Sequence, residues 1–270
     1  MQKSRDTVLI VLAFFAIYVI WGSTYLLNKI AVSEISPLYL ASIRFTVAGL
    51  LIFLTAKLLG HSLAINKRQL INSIIAGFLF LTYGNGVFVW ALKYVDSGFA
   101  ALEASTQPLI ILVLMRLIDG KKIKLMSVIG VVLGVVGIYL LVSQKDITAD
   151  KESIFSIIMI FTCVVSWSYG SIFVAKAQLP SKYLISTGYQ MVSGGLLLLI
   201  FSALLGEKWL SPLKWNSSTQ ISMFLLIIFG GIVAFTAFNY LLKKVSAEKV
   251  ATSAYVNPII ALLLGWYILD

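Results

Sequence analysis

Two charged residues interrupt long apolar segments of the sequence, and both could take part in chemistry within a membrane. Arg44 lies in the first third of the segment 37–59, and Glu103 in the first third of 97–118. An ionisable side chain is costly in lipid, so each is a candidate functional residue. One interpretation is a structural ion pair that lets both be buried. The other is that Arg44 binds a substrate carboxylate, while Glu103 binds an amine or a proton.

Counting along the helices predicts that these charges share a layer with other polar and aromatic side chains. At a rise of about 1.5 Å per residue, both charges lie roughly 10 Å below the outer surface, at the depth of Trp21 and Asn85. The corresponding layer of the second half carries no charge and consists of Trp167, Gln190, Phe235 and Ser253. The two tryptophans could stack on an aromatic or cationic substrate, or they could belong to the interfacial aromatic belt.

Two amide–proline pairs, Gln107-Pro108 and Asn257-Pro258, occupy the middle of predicted helices. Proline removes one helical hydrogen bond and pushes on the carbonyl four residues earlier. Each pair therefore predicts a kink with a free acceptor beside an amide side chain, as in the interrupted helices of transporters. The alternative is that the prolines only bend the helices, because proline is common in membrane helices.

The composition excludes a soluble globular protein. Of the 270 residues, 60% are hydrophobic and 12% are charged, whereas soluble domains are about a quarter charged. The formal net charge is +10, but the basic residues lie in short loops between apolar segments, so a nucleic-acid partner is not indicated. Cys163 and His61 are the single cysteine and histidine, which exclude an internal disulfide and give no support for a metal site.

Nine apolar segments are long enough to cross a lipid bilayer as α-helices of about 20 residues each. Their approximate bounds are 8–28, 37–59, 70–93, 97–118, 123–143, 154–175, 184–205, 219–242 and 247–269. We therefore predict an all-α membrane protein with a polytopic helix bundle. Fourteen Lys and Arg residues fall on one side of these segments and six on the other. This bias predicts a multi-pass protein of the cytoplasmic membrane with its N-terminus in the cytoplasm.

The two halves of the chain resemble each other at an offset of 146 residues, which changes to 150 further along each half. The matched pairs include Trp21 with Trp167, Gly49 with Gly195, Lys93 with Lys243 and Pro108 with Pro258. We predict two repeats, 8–143 with five helices and 154–270 with four. Because five is an odd number, the second repeat is inverted relative to the first, an architecture that puts the substrate site between the repeats.

Symmetry between the repeats predicts ten spans, of which the sequence contains nine. The predicted fifth helix carries Gly130, Gly134 and Gly137 along one side. Such spacing permits close helix packing, either within the monomer or in a homodimer.

Several strings resemble the EamA-type branch of the drug/metabolite transporter superfamily. They are WGSTYLLNKIAV at 21–32, RFTVAGLL at 44–51, ALKYVDSGFAALEASTQPLI at 91–110 and VSAEKVATSAYVNPIIALLLGWYILD at 245–270. The resemblance covers nearly the whole chain as two EamA units. It implies ten helices with both termini in the cytoplasm, the fifth and tenth bracing the transport core. It also implies export of small metabolites such as amino acids, purines or drugs.

The sequence thus predicts a secondary transporter that exports a small-molecule metabolite, driven by proton exchange or by the solute gradient. The candidate site residues are Trp21, Arg44, Asn85, Glu103, Gln107, Trp167, Gln190 and Asn257, with Pro108 and Pro258 as kinks or hinges. The alternative is a multidrug exporter of lipophilic cations, with Glu103 in place of the acidic residue that such exporters carry in their first helix. The sequence has no GxxxxGK[ST] loop, so we expect no cofactor and no direct coupling to ATP. It also lacks GxSG and paired acids in facing helices, so an enzyme is not indicated.

Overall fold

The protein is a bundle of membrane-length helices. The computed structural model describes residues 2–95, 97–120 and 151–269, together with six isolated positions between 125 and 136. Within these residues, every regular element is helical.

The helices follow one another along the chain with short connections. The α-helices are α1 (Gln2–Phe15), α2 (Trp21–Val32), α3 (Pro37–Leu58), α4 (Lys67–Gly77), α5 (Phe88–Ala91), α6 (Ser97–Ala104), α7 (Gln107–Asp119), α8 (Lys151–Lys176), α9 (Tyr183–Leu204), α10 (Ser217–Leu225), α11 (Thr236–Lys244), α12 (Ala247–Ala251) and α13 (Ser253–Leu269). Three π-helical segments, Ala16–Ile20, Phe78–Val87 and Leu226–Phe235, join α1 to α2, α4 to α5 and α10 to α11. A 3₁₀ turn, Pro212–Lys214, precedes α10.

Seven helical rods are long and apolar enough to span a membrane. They are Asp6–Val32, Pro37–Leu58, Lys67–Ala91, Phe99–Asp119, Ile154–Lys176, Tyr183–Leu204 and Ser217–Lys244. These rods coincide with seven of the nine predicted segments. The predicted fifth helix, 123–143, lies outside the described residues apart from isolated positions. The predicted ninth segment, 247–269, is helical but is interrupted at Thr252, between α12 and α13.

Asparagine caps begin two of the rods at matching positions. The Asn66 side chain accepts a hydrogen bond from the Gln69 backbone, and the Gln69 side chain accepts one from the Asn66 backbone, so the two form a capping box. Asn216, 150 residues later, accepts from the Thr219 backbone in the same way at the start of α10. These caps fix where both rods begin because they satisfy backbone donors that a helix start leaves free.

The π-helical segments supply carbonyl groups to side chains of other helices. Ser166 of α8 donates to the carbonyl oxygen of Leu79 at 2.8 Å. Trp21 of α2 donates from its indole nitrogen to the carbonyl oxygen of Gly230 at 3.2 Å. Wide helical turns loosen the regular backbone ladder, and in a membrane a neighbouring side chain must then complete the bonding. Both long π-helical segments thereby attach to the opposite half of the chain.

Helices α3 and α9 pack backbone against backbone through glycine. A methyl group added to Gly195 would lie 2.7 Å from the backbone nitrogen of Thr46. A methyl group added to Gly49 would lie 2.9 Å from the backbone nitrogen of Val192. These two contacts are equivalent at the offset of 146 residues. Small residues allow such close approach, which is how membrane helices gain packing energy without a hydrophobic driving force.

The loops 33–36 and 205–216 lie at one end of the bundle, which we call the first face. Two carboxylates join the halves of the chain there. Glu207 accepts hydrogen bonds from the backbone nitrogens of Leu38 and Tyr39 at 3.1 and 2.8 Å, and thus caps α3 from beyond the end of α9. Glu34 accepts from the Asn216 backbone through both carboxylate oxygens. At the opposite face, the second face, formed by the loops 59–66 and 177–182, Tyr189 donates to the Leu63 carbonyl oxygen. Helices α3 and α9 therefore run in opposite directions.

We predict that Gly195→Ala destabilises the folded protein by about 1–3 kcal/mol, because the added methyl group overlaps the α3 backbone, which cannot move without repacking the bundle. The measurement is thermal unfolding of the purified protein in detergent. Gly130→Ala is the matched control, since a methyl group there meets no described atom within 4 Å. An unchanged unfolding midpoint for Gly195→Ala would contradict this packing.

Candidate functional site

A cavity of about 100 Å³ lies between helices from both halves of the chain. We call it the central cavity. Six of the predicted site residues line it, namely Trp21, Arg44, Asn85, Gln107, Trp167 and Asn257. Its volume exceeds the roughly 10–15 Å³ that one water molecule requires, so it has room for several waters or a small solute. Polar side chains that share a cavity in a membrane protein mark a candidate substrate site.

Arg44 supplies the charge of this cavity. Its side chain comes from α3 and only 3% of the residue is exposed. One terminal nitrogen donates to the Asn28 side-chain oxygen at a long 3.3 Å, and the guanidinium carbon lies 4.7 Å from the centre of the Phe45 ring. The Nε atom is buried and has no hydrogen-bond partner among the described residues. The guanidinium is therefore held in place but only partly satisfied.

Glycine makes room for this guanidinium. A methyl group added to Gly230 would lie 3.0 Å from Arg44 Nη2 and 2.9 Å from Thr24 Cγ2. The Gly230 carbonyl oxygen accepts the hydrogen bond from the Trp21 indole on its other side. Gly230 thus allows the π-helical segment Leu226–Phe235 to touch both candidate side chains, Arg44 and Trp21, at once.

Aromatic rings pack together at the side of the central cavity that Trp21 and Trp167 line. The two indole rings meet edge to face with their centroids 5.6 Å apart. Phe80, Phe235 and Phe238 pack around them, and these three rings are almost completely buried. Edge-to-face geometry is favourable for aromatic pairs. Both indoles thus line the cavity and pack against buried aromatic rings.

Glu103 does not meet Arg44. The ion pair that the sequence allowed is absent from the described residues, where neither side chain has a partner of opposite charge within 4 Å. Glu103 is buried, its Oε2 atom has no described hydrogen-bond partner, and it is not among the residues that line the central cavity. Equal depth does not bring two residues together, because the direction in which each helix face points also matters.

Both proline-containing helices are interrupted. The break between α6 and α7 falls at 105–106, just before Gln107 and the buried Pro108. The second break falls at Thr252, and Pro258 lies inside α13. Each interruption lies within two residues of the central cavity, which Ala104 and Ala254 help to line.

The side-chain amide of Asn257 forms hydrogen bonds that connect two helices. Oriented by the acceptors around it, its nitrogen has the carbonyl oxygens of Ile17, Tyr18 and Ser253 at 3.0–3.2 Å and shares its two hydrogens among them. Ile17 and Tyr18 belong to the first π-helical segment. Asn257 therefore ties α13 to this segment and also lines the cavity. Asn85 differs, since its buried side-chain oxygen has no partner among the described residues.

Gln190 lies away from the central cavity. Its side-chain nitrogen donates to Ser186 and to Asn239, each at 3.0 Å. Ser186 and Asn239 line a second cavity of about 180 Å³, together with Tyr183 and Lys243. Gln190 therefore supports the wall of this second cavity, which lies beside the loop 177–182 of the second face.

Sequence reasoning missed three polar residues of the central cavity, Thr24, Tyr25 and Asn28. All three follow Trp21 within one helix, and Thr24 and Asn28 are one turn apart on the same face. Asn28 is buried, and its nitrogen donates to the Thr24 carbonyl oxygen at 2.8 Å. Polar residues spaced by three and four positions after Trp21 were the signal that could have found them.

Known proteins resemble this chain over nearly its whole length. An inner membrane transporter of Escherichia coli K12, the uncharacterized YedA, is 36% identical over 254 residues, which cover 94% of this chain and 80% of YedA. The uncharacterized transporter YoaV of Bacillus subtilis is 22% identical over 266 residues, which cover 95% of this chain and 87% of YoaV. A WAT1-related chloroplastic protein of Arabidopsis thaliana is 26% identical over 271 residues, which cover 98% of this chain and 63% of the Arabidopsis protein.

A solved crystal structure shares the fold. It aligns with a TM-score of 0.73 at 19% sequence identity, over 97% of this chain and 88% of the other. The EamA-like transporter family matches residues 8–143 and 154–270. With these matches, seven membrane-length helices, and a cavity lined by polar and aromatic side chains, this multi-pass membrane protein belongs to the EamA-like transporter family.

Proposed function

We propose that this protein is a secondary transporter that exports a small metabolite, such as an amino acid or a purine, by alternating access. The observation that carries the proposal is the central cavity, which is buried in a membrane-spanning bundle and takes Trp21 and Arg44 from one half and Trp167 and Asn257 from the other. A site shared between halves can be exposed to either side when the halves rock against each other.

Equivalent contacts support the inverted relationship of the two proposed repeats. Trp21 meets Trp167, and the contacts of Gly49 and Gly195 with the opposite helix correspond at the same offset of 146 residues. The two halves thus present matching surfaces to each other. Rocking between two such surfaces has two related end states, which is the requirement of alternating access.

The proposal is tested by flux measurements on purified protein in liposomes. Vesicles loaded with radiolabelled amino acids or adenine should release them faster than protein-free vesicles, and a protonophore should reduce release where a proton is the coupling ion. Absence of protein-dependent flux for every member of a broad metabolite panel would contradict the proposal. The alternative, export of lipophilic cations, is not favoured, because the charge supplied to the cavity by the described residues is that of Arg44.

We predict that the second face and the N-terminus are cytoplasmic. In a Cys163→Ala background, Lys208→Cys on the first face should react with a membrane-impermeant maleimide in intact cells. Ala64→Cys on the second face should react only after lysis. The reverse labelling pattern would show the opposite orientation. Cys163 itself is 2% exposed, so its replacement removes little background.

We predict that Gly230→Ala reduces transport at least tenfold while the protein still folds. The added methyl group would displace the Arg44 guanidinium and Thr24 from the central cavity, and a small misplacement of a binding group lowers rate steeply. Flux in liposomes and elution of monodisperse protein are the two measurements. Gly130→Ala should leave both unchanged, and wild-type flux in Gly230→Ala would argue against Arg44 as a binding residue.

We predict that Glu103→Gln abolishes transport or uncouples it from the proton gradient. The buried carboxylate has one oxygen without a described partner, so it can bind and release a proton as the site opens, whereas an amide cannot. Counterflow of substrate without a gradient separates the two results. Glu152→Gln, a change at an exposed carboxylate at the start of α8, serves as the control. Unaltered gradient-driven flux in Glu103→Gln would exclude Glu103 as the proton carrier.

A further inference from the structure

The central cavity has an unbalanced positive charge. Among the described residues that line it, Arg44 alone carries a formal charge at neutral pH. No described carboxylate lies within 4 Å of its guanidinium. A buried charge without a counter-ion is unfavourable, and the surroundings of a membrane span add no water to screen it. A negatively charged ligand would remove this imbalance.

The bonds around the guanidinium leave room for such a ligand. Arginine carries five N–H groups in a planar fork, and here the described partners are the Asn28 oxygen at 3.3 Å and the face of Phe45. The Nε atom is buried and has no described partner. The fork matches a carboxylate, which accepts two parallel hydrogen bonds. Asn28, itself anchored to the Thr24 carbonyl oxygen, keeps the fork in position.

The rest of the lining fits an apolar body attached to the carboxylate. Trp21, Tyr25, Phe88 and Trp167 provide aromatic surface around the same cavity. Asn85 adds a buried amide whose oxygen has no described partner, so it can accept a hydrogen bond from a ligand N–H or O–H group. Aromatic walls with a few polar groups are typical of sites for small organic molecules.

The second cavity repeats this charge pattern closer to the second face. Lys243 carries the formal charge among the described residues of its lining, and its ammonium group donates to the Ala177 carbonyl oxygen at 3.1 Å. Asn239 in this lining bonds to the carbonyl oxygen of Phe235, which lines the central cavity one helical turn away. The linings of the two cavities thus each contain one cation and no described carboxylate, which favours anions in both.

We infer that, given the proposed transport function on which this rests, the substrate is a small organic anion whose carboxylate binds to the Arg44 fork. Its apolar part lies against the tryptophan rings. The second cavity, with Lys243, is a second station for the same anion near the second face. This substrate class excludes the lipophilic cation as the preferred ligand.

A series of three probes of similar shape and different charge tests this inference. Phenylacetate is an anion, phenylacetamide is neutral and phenethylamine is a cation. Each is titrated into the purified full-length protein in detergent, and the rise in unfolding temperature gives its apparent affinity, because a ligand that binds the folded state stabilises it. We expect phenylacetate to bind at least tenfold more tightly than the other two, since charge-assisted hydrogen bonds to arginine are lost with them.

Variants identify Arg44 as the group responsible. Arg44→Lys keeps the charge but loses the fork, and it should weaken phenylacetate binding roughly 10- to 100-fold with little effect on phenylacetamide. Arg44→Gln should remove the preference for the anion. Arg68→Lys and Arg68→Gln, at an exposed arginine of α4, are matched controls that should behave as the wild type. If Arg44→Gln fails to fold, the affinity of Arg44→Lys for phenylacetate tests the role of Arg44 instead.

Equal affinity for the three probes, preference for phenethylamine or unchanged phenylacetate binding in Arg44→Lys would each overturn the inference. So would failure of phenylacetate to bind up to its solubility limit. These results are independent of the transport test. Flux of adenine, which has no carboxylate, without binding of phenylacetate would leave the proposed transport function standing while removing the anion assignment. Phenylacetate binding without flux of any solute would do the reverse.

Discussion

A guanidinium enclosed within a membrane-spanning bundle is the constraint on which the rest of this structure depends. Arg44 is 3% exposed, and lipid offers neither water nor counter-ions to such a group. Three groups accommodate the guanidinium: the side-chain oxygen of Asn28 accepts a hydrogen bond, the ring of Phe45 packs against it, and Gly230 leaves space for it. These groups come from α2, α3 and the π-helical segment Leu226–Phe235, so three helices must meet closely around one side chain.

Close approach between the halves is achieved by removing side chains and by widening helical turns. Gly49 and Gly195 let α3 and α9 touch along their backbones, and packing of this kind is the main source of stability between membrane helices. The π-helical segments then provide carbonyl groups that Trp21 and Ser166 bond across the interface. Such bonds specify which rotation of each helix is correct, because a shifted helix would leave the carbonyl unsatisfied in an apolar surrounding.

Sequence reasoning anticipated the helical class and six of the residues that line the central cavity, and its errors have a geometric origin. Hydropathy located seven of the nine predicted spans, because lipid selects long apolar segments, and depth counting brought Arg44 and Trp21 to one site. Depth counting also suggested an ion pair with Glu103, which the described structure lacks. Depth follows from position along a helix, whereas contact depends on helix rotation and on breaks such as the one at 105–106. Those breaks change the face that each following residue presents, and periodicity alone does not predict them.

The contacts between the halves differ between the interior of the bundle, near the cavities, and its first face. Near the central cavity, Phe80 of the first half meets Phe235 and Phe238 of the second half ring against ring. Separating such rings leaves few polar groups unpaired, so rocking of the halves there costs mainly apolar packing. At the first face, Glu207 and Glu34 bond to backbone nitrogens, and water can take over those bonds when they part. The hydrogen bonds of Trp21 and Ser166 to carbonyl groups of the opposite half are the exception, because lipid offers those carbonyls no replacement partner. The proposed movement therefore separates the halves at the aromatic contacts and at the first face, and keeps these two bonds closed.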